Sequence, residues 1–271
     1  PRPTADTPAL ADTEMPLHAG PREAISHTRS SVGSEVRTQR IVNLATGERT
    51  ATADITAALE KSAEIVIRSE DKQWNYGKLQ ELRAEAGFVL PEAAKGTTLV
   101  ALVIRDDIKL TAAEQQQLLV RDDINRPGPE AAPPAEDADR NIMRVQSLKS
   151  VMTVGEPNGQ PSDIATAKLG QPAEIRLLAD PSTLGVGADL PLRAYLDGSA
   201  IPAARLSATL VGRNQSIEIS TDSKGIGRIR VTEAGEWLVV LHVFAQSNID
   251  ATTWTWHTAT FSFTVPNREA E

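Results

Sequence analysis

The feature that most constrains the fold of this chain is a series of short segments, after residue 172, in which apolar and polar residues alternate. In the segment 190–196 every second residue is Leu or Ala, and Pro, Arg and Tyr stand between them. A period of two places the two sets of side chains on opposite faces of a β-strand. Seven segments look like strands, at spacings typical of β-sandwich domains: 173–178, 190–196, 205–211, 216–220, 227–231, 236–244 and 252–265. The sequence therefore predicts an antiparallel β-sandwich.

The turns between these segments indicate the kind of sandwich. Asp197-Gly198 and the segment 221–225 combine an Asp, which bonds its own downstream backbone, with a Gly that adopts positive φ. Such turns occur in many Ig-like and transthyretin-like modules, so we expect a C-terminal sandwich of that type. They indicate the fold far more than the function.

The first half of the chain has a mixed pattern and predicts an α+β region. Strands are expected at 36–44, 63–68 and 97–105. Helical spacing predicts one helix over 78–86, ending at Gly87, and another from 111 to about 120, capped by the Thr111 hydroxyl. Residues 140–154 are expected to form a short helix that enters the sandwich.

Four prolines and several acidic residues in the segment 125–137 prevent both helix and sheet, so residues 126–139 are expected to be a linker. The prediction is an α+β domain over 31–125 and a β-sandwich domain over 140–267. Residues 1–30 are expected to be disordered or extended, because the chain opens with Pro and small polar residues. This opening resembles the spacer that often follows an export signal, and we expect that signal to lie outside this chain.

Composition excludes several classes of function. The 271 residues contain no cysteine, which rules out disulfides, thiolate catalysis and Cys-ligated metals. A net charge of −8 argues against nucleic acid as a partner. The longest apolar run, 237–244, is shorter than the roughly 20 residues of a membrane-spanning helix. The sequence contains no Gly-x-Ser-x-Gly, His-Glu-x-x-His or phosphate-binding loop, and we predict that the protein is not an enzyme.

Two histidines suggest a metal site. A hairpin centred near Asp250 would place His242 directly opposite His257, and the same register gathers mostly apolar residues on the shared face. Two imidazoles bind one transition metal when a carboxylate such as Asp250 or Glu174 completes the set. The alternative is a buried His pair that bonds to backbone carbonyls.

Two tryptophans suggest a second kind of site. Trp254 and Trp256 lie at even-numbered positions, whereas Phe261 and Phe263 lie at odd-numbered positions. In an unbroken strand the two pairs point to opposite faces, which places both indoles on the outer face. Exposed aromatic rings stack on sugars in carbohydrate-binding sandwiches and anchor protein interfaces. The alternative is that a bulge, or the N-terminal half, covers them.

Several C-terminal segments occur in the order found in a known family: 170–175, 180–181, 192–198, 221–225, 234–239 and 256–265. This order resembles the DUF4198 family, exported bacterial proteins related to a NikM-like periplasmic component associated with nickel and cobalt uptake. The resemblance is specific over about 144–265 and fainter upstream. It implies a periplasmic location, Ni²⁺ or Co²⁺ as the metal, and a membrane transporter component or another envelope protein as partner.

Together these observations predict a non-enzymatic, exported or periplasmic binding or accessory protein that handles a divalent metal. Two alternatives remain open. One is a carbohydrate- or protein-binding sandwich that uses Trp254 and Trp256, and the other is a structural protein of the cell envelope.

Overall fold

Two β-sheets pack against each other and contain most of the described chain. The computed structural model describes residues 35–36, 63–70, 72–76, 83–84, 87–89, 93–111, 113–114, 117, 123–127, 140–154, 160–213, 216–246 and 253–267. Its strands are β1 (Glu35–Val36), β2 (Ala63–Arg68), β3 (Gln73–Tyr76), β4 (Arg83–Ala84), β5 (Gly87–Val89), β6 (Gly96–Leu110), β7 (Ile124–Asn125), β8 (Arg140–Val154), β9 (Ala173–Leu177), β10 (Asp189–Leu196), β11 (Ser199–Ala200), β12 (Arg205–Leu210), β13 (Ser216–Ser220), β14 (Ile226–Arg230), β15 (Gly235–Gln246) and β16 (Trp254–Val265). The described protein is therefore mainly β.

The larger sheet contains nine of the described strands in the order β13-β12-β15-β16-β8-β6-β2-β3, with β7 beside β15. Its pairs are antiparallel except β16 with β8 and β15 with β7, which are parallel. The smaller sheet contains β9, β10, β11 and β14. Strands β1, β5 and β4 form a separate small sheet.

The hydrophobic core lies between the two larger sheets. Leu192 and Ile229 of the smaller sheet belong to the same buried cluster as Val239, Leu241 and Phe261 of the larger sheet. Along each strand the alternate residues point away from this core, as the period of two requires. The larger sheet therefore has an inner face towards the smaller sheet and an opposite, outer face.

All seven segments predicted after residue 172 are strands, and the bounds of 216–220 agree with those of β13. Upstream, the predicted strand 63–68 coincides with β2, and 97–105 lies within β6. Only residue 36 of the predicted strand 36–44 is described, and it belongs to β1. The antiparallel β architecture is confirmed at this level.

The prediction of a helix over 140–154 is wrong, because this segment is the 15-residue strand β8. Ile142, Val145 and Leu148 recur every three residues, which produces an apparent helical spacing. Strand β8 lies between β6 and β16, and buried residues occur on both of its faces. A strand that is covered on both faces loses the simple alternation that identifies strands in sequence.

The prediction of a helix over 78–86 is wrong at its described residues. Arg83–Ala84 is β4, and it pairs with Gly87–Val89, so the glycine expected to end the helix lies in β5. A helix of nine residues has little intrinsic stability, and tertiary contacts decide the conformation of such a segment.

The predicted helix cap at Thr111 is present. The Thr111 backbone N–H donates to Glu114 Oε2 at 2.8 Å, and the Glu114 N–H donates to Thr111 Oγ1 at 3.3 Å. This reciprocal pair is a capping box. Residues 113, 114 and 117 are helical, and the rest of the predicted helix lies outside the described residues.

Strand pairing crosses the predicted linker. Strand β6 before it and β8 after it pair over 15 residues, and residues 34–271 form one compact unit. The predicted boundary at 126–139 therefore does not divide the larger sheet. Asn125, the residue before the predicted linker, lies in β7. Its side-chain amide donates to the carbonyls of Arg205 and His242 at 2.8 and 2.9 Å. Residues 128–139, and the predicted extended segment 1–30, lie outside the described residues.

The tight turn before β14 provides a stability test. Gly225 has φ +73°, and a Cβ there would lie 3.0 Å from Ala200 Cβ and 3.1 Å from the Ile201 carbonyl oxygen. Gly212 has φ +89° but open space around the same position. We expect Gly225→Ala to lower the free energy of unfolding by about 2–4 kcal/mol and Gly212→Ala by about 1–2 kcal/mol. Both alanines are strained by the positive φ, but only the alanine at 225 also clashes with its neighbours. Urea unfolding of both variants checks this, and equal losses would contradict it.

Candidate functional site

The β15–β16 hairpin differs by one residue from the predicted register. His242 lies opposite Thr258, and His257 lies opposite Val243. A shift of one residue moves every side chain of a strand to the other face. The two imidazoles therefore lie on opposite faces of the larger sheet, and the predicted cross-strand histidine pair is wrong.

The other predicted metal ligands do not join them. Glu174 Oε1 accepts from the Leu169 N–H at 2.7 Å and from Lys149 Nζ, and Oε2 accepts from the Gly170 N–H at 2.8 Å. Asp250 lies outside the described residues. Within the described ranges no three His, Asp or Glu side chains are placed to hold a metal ion. The structure thus does not assemble the predicted donor set.

The two predicted tryptophans do share the outer face of the larger sheet, but they differ in exposure. Trp254 is 8% exposed, and its ring stacks on Phe244 with centroids 4.9 Å apart. Leu110, Ile124 and Ile142 belong to the same small buried cluster. For Trp254 the alternative of coverage by the N-terminal half therefore holds, since Leu110 and Ile124 belong to that half. Trp256 remains half-buried.

On the outer face Trp256 packs against the apolar cluster through Phe244, its direct partner on β15, and polar side chains lie on its other sides. Its register neighbour on β8 is Arg144, whose guanidinium donates to both carboxylate oxygens of Asp106 on β6, at 3.0 and 2.5 Å. His242 lies on the other side, with its ring centroid 6.3 Å from that of Trp256. Its Nδ1 is 3.2 Å from the hydroxyl of Thr258. We call Asp106, Arg144, His242, Trp256 and Thr258 the outer-face cluster.

The outer-face cluster combines one aromatic ring with a fixed set of donors and acceptors. The Arg144 and Asp106 side chains are 30% and 26% exposed, so both groups are accessible although they are bonded to each other. A bidentate pair of this kind holds both side chains in one orientation. Trp256 and His242 were predicted from the sequence, but Arg144 and Asp106 were not, since only the β6–β8 register brings these two residues together.

His257 lies on the inner face and is 8% exposed. Its Nδ1 is buried and has no hydrogen-bond partner among the described residues. Burial lowers the pKa of His257 below its ordinary value of 6.5, the charge of Asp197 opposes this change, and Arg105 adds to it. At pH 7 this buried imidazole is therefore neutral.

A buried ion pair joins the two sheets close to the predicted ligand Glu174. The Lys149 and Glu174 side chains are each 1% exposed, and Lys149 Nζ also donates to the Ile175 carbonyl at 3.1 Å. Burial lowers the pKa of Lys149, while the charge of Glu174 opposes this effect. Lys149 Nζ lies 5.3 Å from the ring centroid of Phe261. Glu174 is thus a structural partner of Lys149 and of two backbone amides.

The buried pair predicts a marked dependence of stability on Lys149. Lys149→Met is expected to lower the free energy of unfolding by about 3–5 kcal/mol, because it leaves Glu174 without its counter-charge. The double variant with Glu174→Gln should lose less than the sum of the two single variants. Denaturant unfolding measures all three. Arg213→Ala, which breaks the exposed pair with Glu233, is the control, and a loss as large as that of Lys149→Met would contradict the prediction.

His257 predicts the sign of a pH effect. Between pH 6.5 and the lower folded pKa, the unfolded chain binds a proton that the folded protein does not, so stability is lost as the pH falls. Between about pH 7.5 and about pH 5, the wild type should lose more stability than His257→Leu or His257→Gln. Thermal unfolding across this range tests the expectation. Parallel pH profiles for the wild type and both variants would contradict it.

Comparison with known families supports the DUF4198 family and does not bear on the nickel and cobalt association. The model of the family described as "Domain of unknown function (DUF4198)" matches residues 25–244, which is most of the chain. No curated protein and no solved structure matches it. In the described part of the chain no helix is long and apolar enough to cross a membrane. From the family match we conclude that the chain belongs to the DUF4198 family.

Proposed function

We propose that this protein is a non-enzymatic, exported binding protein that holds a saccharide on the outer-face cluster. The observation that supports this proposal is the half-buried indole of Trp256 between His242 and the Arg144–Asp106 pair. An aromatic ring offers an apolar surface with a defined orientation. Nearby donors and acceptors then select among ligands by their hydroxyl groups.

The chemistry of the outer-face cluster suits sugar hydroxyls. Arg144 supplies donors only, ionised Asp106 supplies acceptors only, and Thr258 supplies both. A sugar hydroxyl is itself both donor and acceptor, so it bonds to each of these groups. The apolar faces of a pyranose ring pack on Trp256, and the hydroxyl groups around its edge reach the polar side chains.

The sheet beneath the cluster supports a preformed site. Asp106, Arg144 and Trp256 lie on three adjacent strands, β6, β8 and β16, which are paired continuously at these positions. Behind them, Val145 and His257 are buried on the inner face. A site that changes little on binding avoids the entropy cost of ordering loops.

Export, and the choice of a saccharide over a metal ion, have separate support. Export is what the resemblance of the sequence to its family implies. The opposite placement of His242 and His257 removes the geometric reason for favouring Ni²⁺ or Co²⁺ over a saccharide. The transporter or envelope partner implied by the resemblance remains a proposal for the cellular context.

A panel of neutral oligosaccharides tests the proposed function by tryptophan fluorescence and titration calorimetry. Trp256→Ala is expected to weaken binding by about tenfold or more, equivalent to about 1.4 kcal/mol, and Arg144→Ala should act in the same direction. Trp74→Ala is the matched control, because Trp74 is also half-buried but lies on β3, away from the cluster. Trp74→Ala should bind the oligosaccharides with the same affinity as the wild type.

Two results would overturn the proposal. One is the absence of binding across the panel, and the other is an equal loss in Trp256→Ala and Trp74→Ala. Titration with Ni²⁺ and Co²⁺ tests the metal alternative separately. Tight binding that is abolished by His242→Ala would favour metal handling.

A further inference from the structure

The outer face of the smaller sheet carries an array of arginines. The residues of β9, β10 and β14 that point towards the core include Ile175, Leu192 and Ile229. The intervening positions, which point outwards, include four arginines. We call Arg176, Arg193, Arg228 and Arg230 the arginine face.

Strand register spaces these arginines regularly. Arg176 and Arg193 are direct cross-strand partners on β9 and β10. Arg228 lies diagonally from Arg193, since it pairs with Pro191, at a typical separation of about 7–8 Å. Arg230 is two residues further along β14, about 7 Å away. The four cations therefore form a staggered row across three strands.

A fifth cation extends the row. Lys168 Nζ lies 4.1 Å from the ring centroid of Tyr195, which is on the same outer face, and donates to the Gly198 carbonyl at 2.9 Å. Both contacts hold the ammonium group near the β10–β11 turn. The row thus runs from Lys168 at one end of the sheet to Arg230 at the other.

The neighbouring acidic groups compensate only part of this charge. Asp189 pairs with Arg230 at 3.3 Å, and this contact is exposed and weak. Asp222, whose carboxylate accepts from the Lys224 and Ile226 backbone amides at 2.8 and 2.9 Å, lies near Arg193 and offsets one further charge, so the five cations still outnumber these two acidic groups. Glu174 is neutralised by Lys149. The face is positive in a chain whose net charge is −8.

The guanidinium groups retain donors for a ligand. Arg228 is exposed. Arg230 is also exposed, and Arg193 is partly buried. Arg176 uses its Nε to bond the Thr166 carbonyl at 2.7 Å, which fixes the direction of its guanidinium. Arginine binds carboxylate groups through two parallel hydrogen bonds, so a row of arginines suits an extended polycarboxylate.

We propose that the arginine face binds an acidic polysaccharide with regularly spaced carboxylates, such as a polyuronate. A membrane surface fits less well, because Val186, next to Gly187 near Arg230, is the one large apolar side chain exposed beside the row among the described residues, whereas Met143 lies on β8 of the other sheet. Nucleic acid carries one charge per about 1.7 Å of duplex, and the net negative charge of this protein opposes so dense a polyanion. This site is distinct from the outer-face cluster, which lies on the other sheet.

Titration with alginate at low salt tests the proposal. The double variant Arg228→Glu with Arg230→Glu is expected to bind at least about tenfold more weakly and to show a smaller dependence on NaCl concentration. The matched control is Arg205→Glu with Arg213→Glu, which changes the charge equally on the larger sheet and should bind within about twofold of the wild type. Circular dichroism and thermal unfolding establish that both double variants are folded.

Any one of three results would overturn the proposal. These are no binding of alginate at low salt, equal losses in the two double variants, or tighter binding to phosphatidylglycerol vesicles or to single-stranded DNA than to alginate. Trp256→Ala should bind alginate normally, and the arginine variant should bind neutral oligosaccharides normally. Failure of one site is therefore distinguishable from failure of the other.

Discussion

The fold depends on the position of β8 between β6 and β16. This strand forms antiparallel hydrogen bonds on one side and parallel ones on the other, so it links the strands before residue 126 to the sandwich after residue 160. Its alternate residues serve different purposes. Arg144 points outwards beside Trp256, whereas Lys149 points inwards and bonds Glu174 and Ile175 on the other sheet. One strand thereby fixes the outer surface and the packing of the two sheets.

Much of the sandwich was predictable because its strands have one face in the core and one face near solvent. Residues 190–196 and 216–220 show the alternation that this arrangement imposes. Strand β8 has buried residues on both faces. Its sequence therefore lacks the alternation of a strand and predicted a helix instead. The register of β15 and β16 was missed by one residue, because both strands also carry apolar or aromatic residues on their outer faces, such as Phe244 and Trp254. Hydrophobic pattern alone then does not choose between neighbouring registers.

The candidate site was only partly predictable, because strand pairing brings together residues that are far apart in the sequence. Trp256 and His242 were found because aromatic and imidazole side chains are rare in this chain. Arg144 and Asp106 are common residue types that are 38 positions apart, and no local pattern indicates that they meet. Lys149 and Glu174 are likewise brought together only by the packing of the two sheets. The arginine face was not predicted, because the pairing of β9 and β14 with β10 is what brings its four residues together.

The parallel pairing of β8 with β16 also bears on how the chain folds. Ser150 and Ser262, neighbours across this pairing, are joined by a 2.8 Å hydrogen bond although 112 residues separate them. The smaller sheet and strands β12, β13 and β15 all belong to the chain between them, so the pairing closes a loop that contains most of the sandwich. Closing a long loop costs entropy before its contacts stabilise it, and folds dominated by such contacts form slowly. Since β16 alone covers this side of β8 at these positions, a chain without β16 in place leaves an open hydrogen-bonding edge, and open edges favour mispairing.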